Sequence, residues 1–230
     1  MNGRVSLSVA ILLIALVLQF LVHWRMPPAH ARATDLPPLP SVAVLRAASL
    51  DEPIALSKAL MLYLQAFDNQ PGLSIPFRDL DYGRVEQWLA GILALDPTSQ
   101  YPLLSASRLY AEVPVAAKQR SMLEFVHRAF LQDPNRRWPW LAHAVLIAKH
   151  QLKDLPLALR YAADLREHAR GEQVPHWAQQ MDIFIREELN EVESAKILLG
   201  GLLQSGSITD PKEWHFLSEK LKELEGKSKP

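Results

Sequence analysis

Two stretches decide the fold: DPTSQYPLLSASRLYA, residues 96–111, and DPNRRWPWLAHAVLIA, residues 133–148. They align without a gap. Asp96-Pro97 falls over Asp133-Pro134, Pro102 over Pro139, Leu104 over Leu141, Leu109 over Leu146 and Ala111 over Ala148. Outward from this pair the punctuation continues, with Val174-Pro175 and Asp210-Pro211 placing the recurring prolines 37, 41 and 36 residues apart. Each is followed within four residues by an aromatic, Tyr101, Trp138, Trp177 or Trp214. Periods of this length mark stacked supersecondary units, none of which can bury its apolar face alone.

Between these marks the pattern is helical. Ile54, Leu56, Leu60, Met61, Leu64 and Phe67 recur at three and four residues, with Asp51 as a cap candidate and Pro53 in the first turn. Further helices are expected at about 81–95, 101–112, 114–132, 138–150, 155–169, 176–189, 191–204 and 211–225. No alternating β-branched runs or Asn-Gly and Asp-Gly turns suggest a sheet. Residues 68–80, with Pro71-Gly72 and Pro76, form the longest irregular stretch. Gly200-Gly201, inside LLGGLL, is expected to permit close packing or a kink. The last helix has one apolar stripe and a charged opposite face, as a solvating cap requires.

These motifs resemble a tetratricopeptide repeat. LEFVHRAFLQDP looks like the end of that repeat's second helix, where a small residue (Ala129) precedes the proline (Pro134) by five; Ile92 before Pro97 departs from this. Registering on Pro134 places Trp140 and Ala144 at the fourth and eighth positions. Repeat lengths exceed the family's, and Pro139 is extra. The resemblance, covering about residues 53–225, implies an all-α, right-handed α-solenoid of about four degenerate hairpins with a C-terminal capping helix. It further implies a concave groove lined by Tyr101, Trp138 and Gln179, with Arg108, Glu112, Lys149, Asp182, Arg186 and Asn190 pointing inward. Trp140 is assigned to packing between helices. Aromatic anchors in a mixed-charge groove suit an extended or helical peptide.

The amino-terminal end reads differently. VSLSVAILLIALVLQFLVHW, residues 5–24, is long enough to cross a bilayer, and Val5, Ile11, Leu16, Leu21 and Trp24 mark the expected span. A cleaved signal peptide competes, because AHA and ARA sequences follow at residues 29–33, but the apolar run exceeds the usual length. The expected organisation is an anchor over 1–25, a Pro-rich spacer over 26–50, the repeat domain over 51–226 and a disordered tail over 227–230. Arg4 and the short leading tail favour a single-pass inner-membrane orientation with the C-terminal domain in the periplasm, whereas Arg25 and Arg32 pull the other way.

Composition narrows the chemistry. Twenty-five basic and 25 acidic residues cancel, so nothing suggests a nucleic-acid partner. The absence of cysteine removes thiolate metal sites and cysteine nucleophiles. The eight histidines offer no i,i+4 pair and no HExxH, and no Gly-rich phosphate loop or nucleophile elbow occurs. No metal or cofactor is expected, and no enzyme. Residues 111–170 carry ten basic against six acidic side chains, and residues 171–230 seven against eleven. With the resemblance, this points to a membrane-anchored interaction scaffold or assembly factor of a bacterial envelope complex. The competing class is an envelope-polymer-acting helical enzyme using a groove carboxylate such as Glu112 or Asp182.

Overall fold

The computed structural model describes residues 7–25, 33–206 and 208–227. Helix α1, Leu7–Arg25, is apolar along its length, and the share of it buried within the protein is nil. Ile11, Leu16, Leu21 and Trp24 all lie on it exposed, while Val5 falls outside the described residues. It is long and apolar enough to be a membrane anchor or a signal sequence.

The rest of the described chain is all-α apart from one two-residue strand pair, Asn69–Gln70 with Leu73–Ser74. Pro71 and Gly72 close that pair, with Gly72 at a φ of 75°, the conformation a tight turn demands there. The helices are α2 (Val42–Ala48), α3 (Pro53–Ala66), α4 (Tyr82–Leu95), α5 (Tyr101–Arg108), α6 (Ala116–Gln132), α7 (Pro134–His150), α8 (Leu155–His168), α9 (His176–Gln179), α10 (Met181–Glu188), α11 (Val192–Gln204) and α12 (Pro211–Lys227). From α3 onward each long helix packs against its successor, and α4 also meets α6, α5 meets α7 and α8 meets α10.

Local chemistry sets the helix ends. Asp81 accepts from the backbone N–H groups of Gly83 and Arg84, and Asp154 from Leu157, so each caps a first turn. Pro134 and Pro211 stand at the first positions of α7 and α12, where a missing N–H costs nothing. Helix α7 thus begins a turn earlier than its apolar pattern suggests and carries Pro139 inside it. An interior proline orphans the carbonyl four residues back. That carbonyl, on Asn135, accepts instead from the Gln173 side chain at 3.2 Å. The Asn135 side chain in turn accepts from the backbone N–H of Arg170 and Gly171. The expected helix over 176–189 divides at Gln180, and that over 101–112 gives way to a 3-10 turn, Tyr110–Glu112. Gly200 and Gly201 face open space within α11, so the close packing expected of them is not found.

One expectation is overturned. Residues 33–50 are not a spacer held clear of the domain but a packed strap. Leu36 is 2% exposed in the main core. The Arg84 guanidinium donates to the Leu36 carbonyl, and Trp88 Nε1 donates to the Pro37 carbonyl at 2.8 Å. Gly91 completes the seat, because a Cβ there would collide with Leu39. Proline richness keeps residues 33–41 of this segment out of any helix, as the sequence suggests. Its leucines nevertheless found the apolar flank of α4, and burying such a side chain is worth about 1.5–3 kcal/mol. Packing therefore begins at the strap, not at residue 51. At the other end α12 includes Lys227, and the remainder of the expected tail lies outside the described residues.

Two apolar clusters result. The larger runs from Leu36 through α3–α8 to Ile185 and includes the fully buried Tyr110, Phe130 and Tyr161. The smaller is built from Ile183, Ala195, Leu199, Ile208, Leu217 and Leu224, on α10–α12.

Candidate functional site

Helices α3, α5, α7 and α10 are joined by single side-chain contacts. Gln65 on α3 donates to the Tyr101 hydroxyl on α5 at 2.7 Å. Trp140 Nε1 on α7 donates to the Gln100 side chain at 2.5 Å. Lys149 on α7 pairs with Glu188 on α10. Of the expected groove residues, Tyr101, Arg108, Glu112 and Asn190 are exposed and Lys149 is half-buried.

At the α3 end an open cleft of about 370 Å³ is lined by Ser57, Lys58, Met61, Leu62, Gln65, Ile92, Ser99 and Tyr101. Its lining is mostly apolar, with Lys58, Gln65 and Tyr101 supplying polar atoms, a combination suited to a partner side chain with an apolar body. Tyr101 was legible from the repeat; Met61 and Leu62 were not, because the apolar pattern of α3 does not separate its buried stripe from its exposed one. In the middle, Arg108 and Glu112 are exposed. Glu112 accepts from Gln151 Nε2 at 2.6 Å and lies 3.4 Å from His143 Nε2. Burial and the neighbouring Arg108 hold the His143 imidazole below its usual range, against the pull of Glu112. At the α10 end Lys149 and Asn190 line a broad depression of about 830 Å³ with Phe184, Glu187, Glu188, Val192 and Lys220. Asn190 sits at a φ of 61° just past α10, a cap position that asparagine tolerates.

Other expected groove residues have internal roles. Trp138 is half-buried and meets Trp177 edge to face at 5.5 Å, so only part of its ring is available. Trp140 is half-buried too and packs against the main core, alongside its bond to Gln100. Gln179 donates to the Ala169 carbonyl just past α8. Arg137, adjacent to Trp138 in sequence, is turned inward, donating to the carbonyls of Ala129 and Pro97 at 2.6 and 2.9 Å.

Asp182 departs furthest from its expected place. It is 0% exposed between α8 and α10, with Arg166 Nε at 2.8 Å and Arg186 Nε at 3.8 Å. Arg186 also reaches Glu191 at 2.6 Å. The resemblance aimed both residues into the groove; instead Asp182 ties α10 to α8, and Arg186 braces Asp182 and the residues just past α10. Burial raises the Asp182 carboxyl above its ordinary range in spite of the two guanidiniums. Such a shift can mark a reactive acid, but this carboxyl is closed to solvent.

A group whose folded pKa is raised favours the protonated fold. Its stabilisation is complete below the ordinary carboxylate range and is lost as pH rises through the folded value. Asp182→Asn should therefore melt at or above the wild type at neutral pH, and the difference should shrink near pH 4, about where an ordinary aspartate titrates. A variant melting far below wild type at pH 7 would show that the ion pairs outweigh burial.

Among the described residues Asp164, Glu167 and His168 bring possible ligand atoms within 4.8 Å of one another on α8. Asp164 is already engaged by His127 Nε2 at 2.6 Å.

Comparisons with protein-family models, with curated proteins and with solved structures gave no match. The class of protein is thus defined by its architecture: an all-α protein whose N-terminal helix is long and apolar enough for a membrane anchor or signal sequence.

Proposed function

We propose that this chain is a single-pass, membrane-anchored protein-interaction module of the bacterial inner membrane. Its helical hairpins stack in tetratricopeptide-like solenoid fashion in the periplasm, serving as a scaffold or assembly factor for an envelope complex. The contacts of α4 with α6 and α5 with α7 support the stacking, since first helices then meet first helices and second meet second. One observation carries the interaction reading. The row of joined first helices presents an apolar cleft beside Tyr101 at one end and a mixed-charge depression beside Lys149 and Asn190 at the other. A bound segment would drop an apolar side chain between Met61, Ile92 and Tyr101, on the α5 side of the cleft, and meet charge complementarity further along.

Site-specific photo-crosslinking in cells tests the proposal. A photoreactive residue at Tyr101 or Asn190 should give a discrete protein adduct, and one at the exposed Arg128 on α6 should not. Equal yields at all three positions would remove the groove as the interaction surface. Where an adduct forms, Tyr101→Ala should reduce it by about tenfold or more, because aromatic interface anchors are worth about 2 kcal/mol.

A further inference from the structure

We propose that the exposed apolar face of α2 and α3 lies against the lipid bilayer into which α1 inserts, so that the domain sits on the membrane instead of hanging from it. This rests on reading α1 as an anchor, and the chain's own dimensions make the case. Thr34 is pinned to the fold, its backbone N–H donating to Gln70 Oε1 at 2.9 Å while Gln70 Nε2 donates back to the Thr34 carbonyl at 2.9 Å. Only residues 26–33 separate that clamp from Arg25, the last residue of α1. Even fully extended they reach about 30 Å. Gln70 follows α3 directly, so the tether enters beside that helix, which is itself about 21 Å long.

The face beside this clamp exposes several apolar side chains. On α3 the outward side presents Ile54, Ala55, Ala59, Leu62 and Ala66 with a single charge, Lys58. Leu62 is 66% exposed, and Val44 on α2 is exposed as well. Between the two helices Leu50 is 86% exposed at a φ of 49°, followed by Asp51 at 71°. Two successive non-glycine residues in the left-handed region are costly, and here they hold a leucine out from the surface. Tyr63, half-exposed and stacked on Trp88 at 5.1 Å, borders the face with the kind of aromatic that prefers the bilayer interface. Arg46 and Lys58 are balanced by Asp51 and Glu52, so the attraction is apolar and a zwitterionic surface suffices.

The cysteine-free chain allows a direct test. Full-length protein carrying one cysteine at Ile14, Leu50, Leu62 or Ile197 is labelled with an environment-sensitive fluorophore and reconstituted in phosphatidylcholine vesicles. Lipids with a spin label near the headgroup then serve as quencher. The probe at Ile14 reports the anchor. Ile197 on α11, 73% exposed, is the control for an exposed apolar position remote from the tether. The expected result is quenching at Ile14, Leu50 and Leu62, with blue-shifted emission at the last two, and at least fivefold weaker quenching at Ile197. Quenching at Ile14 alone overturns the docking and leaves the anchor standing. A blue shift at Leu62 without quenching overturns it as well, because a second copy or another protein then covers the face. No quenching at Ile14 refutes the anchor, and the docking with it.

Discussion

Leu36→Ala is expected to destabilise the folded domain by about 2–5 kcal/mol, the range for truncating a buried leucine. No helix of the repeat contains this residue. It lies in the extended strap, yet it is among the most buried side chains, in the main cluster and beside Phe67 and Leu80. Its neighbours amplify the loss, because the strap's hydrogen bonds to Arg84 and Trp88 hold only while the leucine is seated. Urea unfolding of the full chain in detergent measures the effect. A change below about 1 kcal/mol would mean that the strap is an appendage. The same variant links to the membrane: releasing the strap lengthens the tether by several residues, so lipid quenching at Leu62 should fall.

Removing residues 211–230 is expected to have the second large effect. Helix α12 supplies Leu217 and Leu224 to the smaller cluster, and both are fully buried. At about 1.5–3 kcal/mol for each leucine taken from water, their loss withdraws about 3–6 kcal/mol. The deletion also breaks the Lys220–Glu187 pair at 2.8 Å and the Gln180–Glu213 hydrogen bond at 2.6 Å. What it uncovers is Ile183, Ala195 and Leu199, an apolar surface of the kind that drives association. Size-exclusion chromatography should show aggregation, and calorimetry should show that the transition of the larger cluster survives. A monomeric truncated chain melting at the wild-type temperature would show that α12 is no cap.

Asp182 and Arg186 fell at positions that a repeat register turns toward a groove, but an aspartate between two arginines from different helices is drawn into a buried network. Register is a property of one helix, whereas that network depends on α8 meeting α10. Trp138 and Trp140 show the same ambiguity, since both contribute large apolar rings and both end half-buried. Which of the two stays available depends on Trp177, 39 residues further on.

Periodic signals in the chain itself determined its all-α character, the positions of most helices and the apolar N-terminal segment. They did so because spacing at three and four residues, proline at first turns and an uncharged run of bilayer length act locally. Tertiary structure alone decided that a proline-rich strap belongs to the core, that Leu39 seats closely over Gly91, that Gln173 compensates Pro139 and that the α3 face is left uncovered. Each of these depends on surfaces brought together from distant parts of the chain, and a composition that keeps a segment extended does not say which apolar surface it will meet.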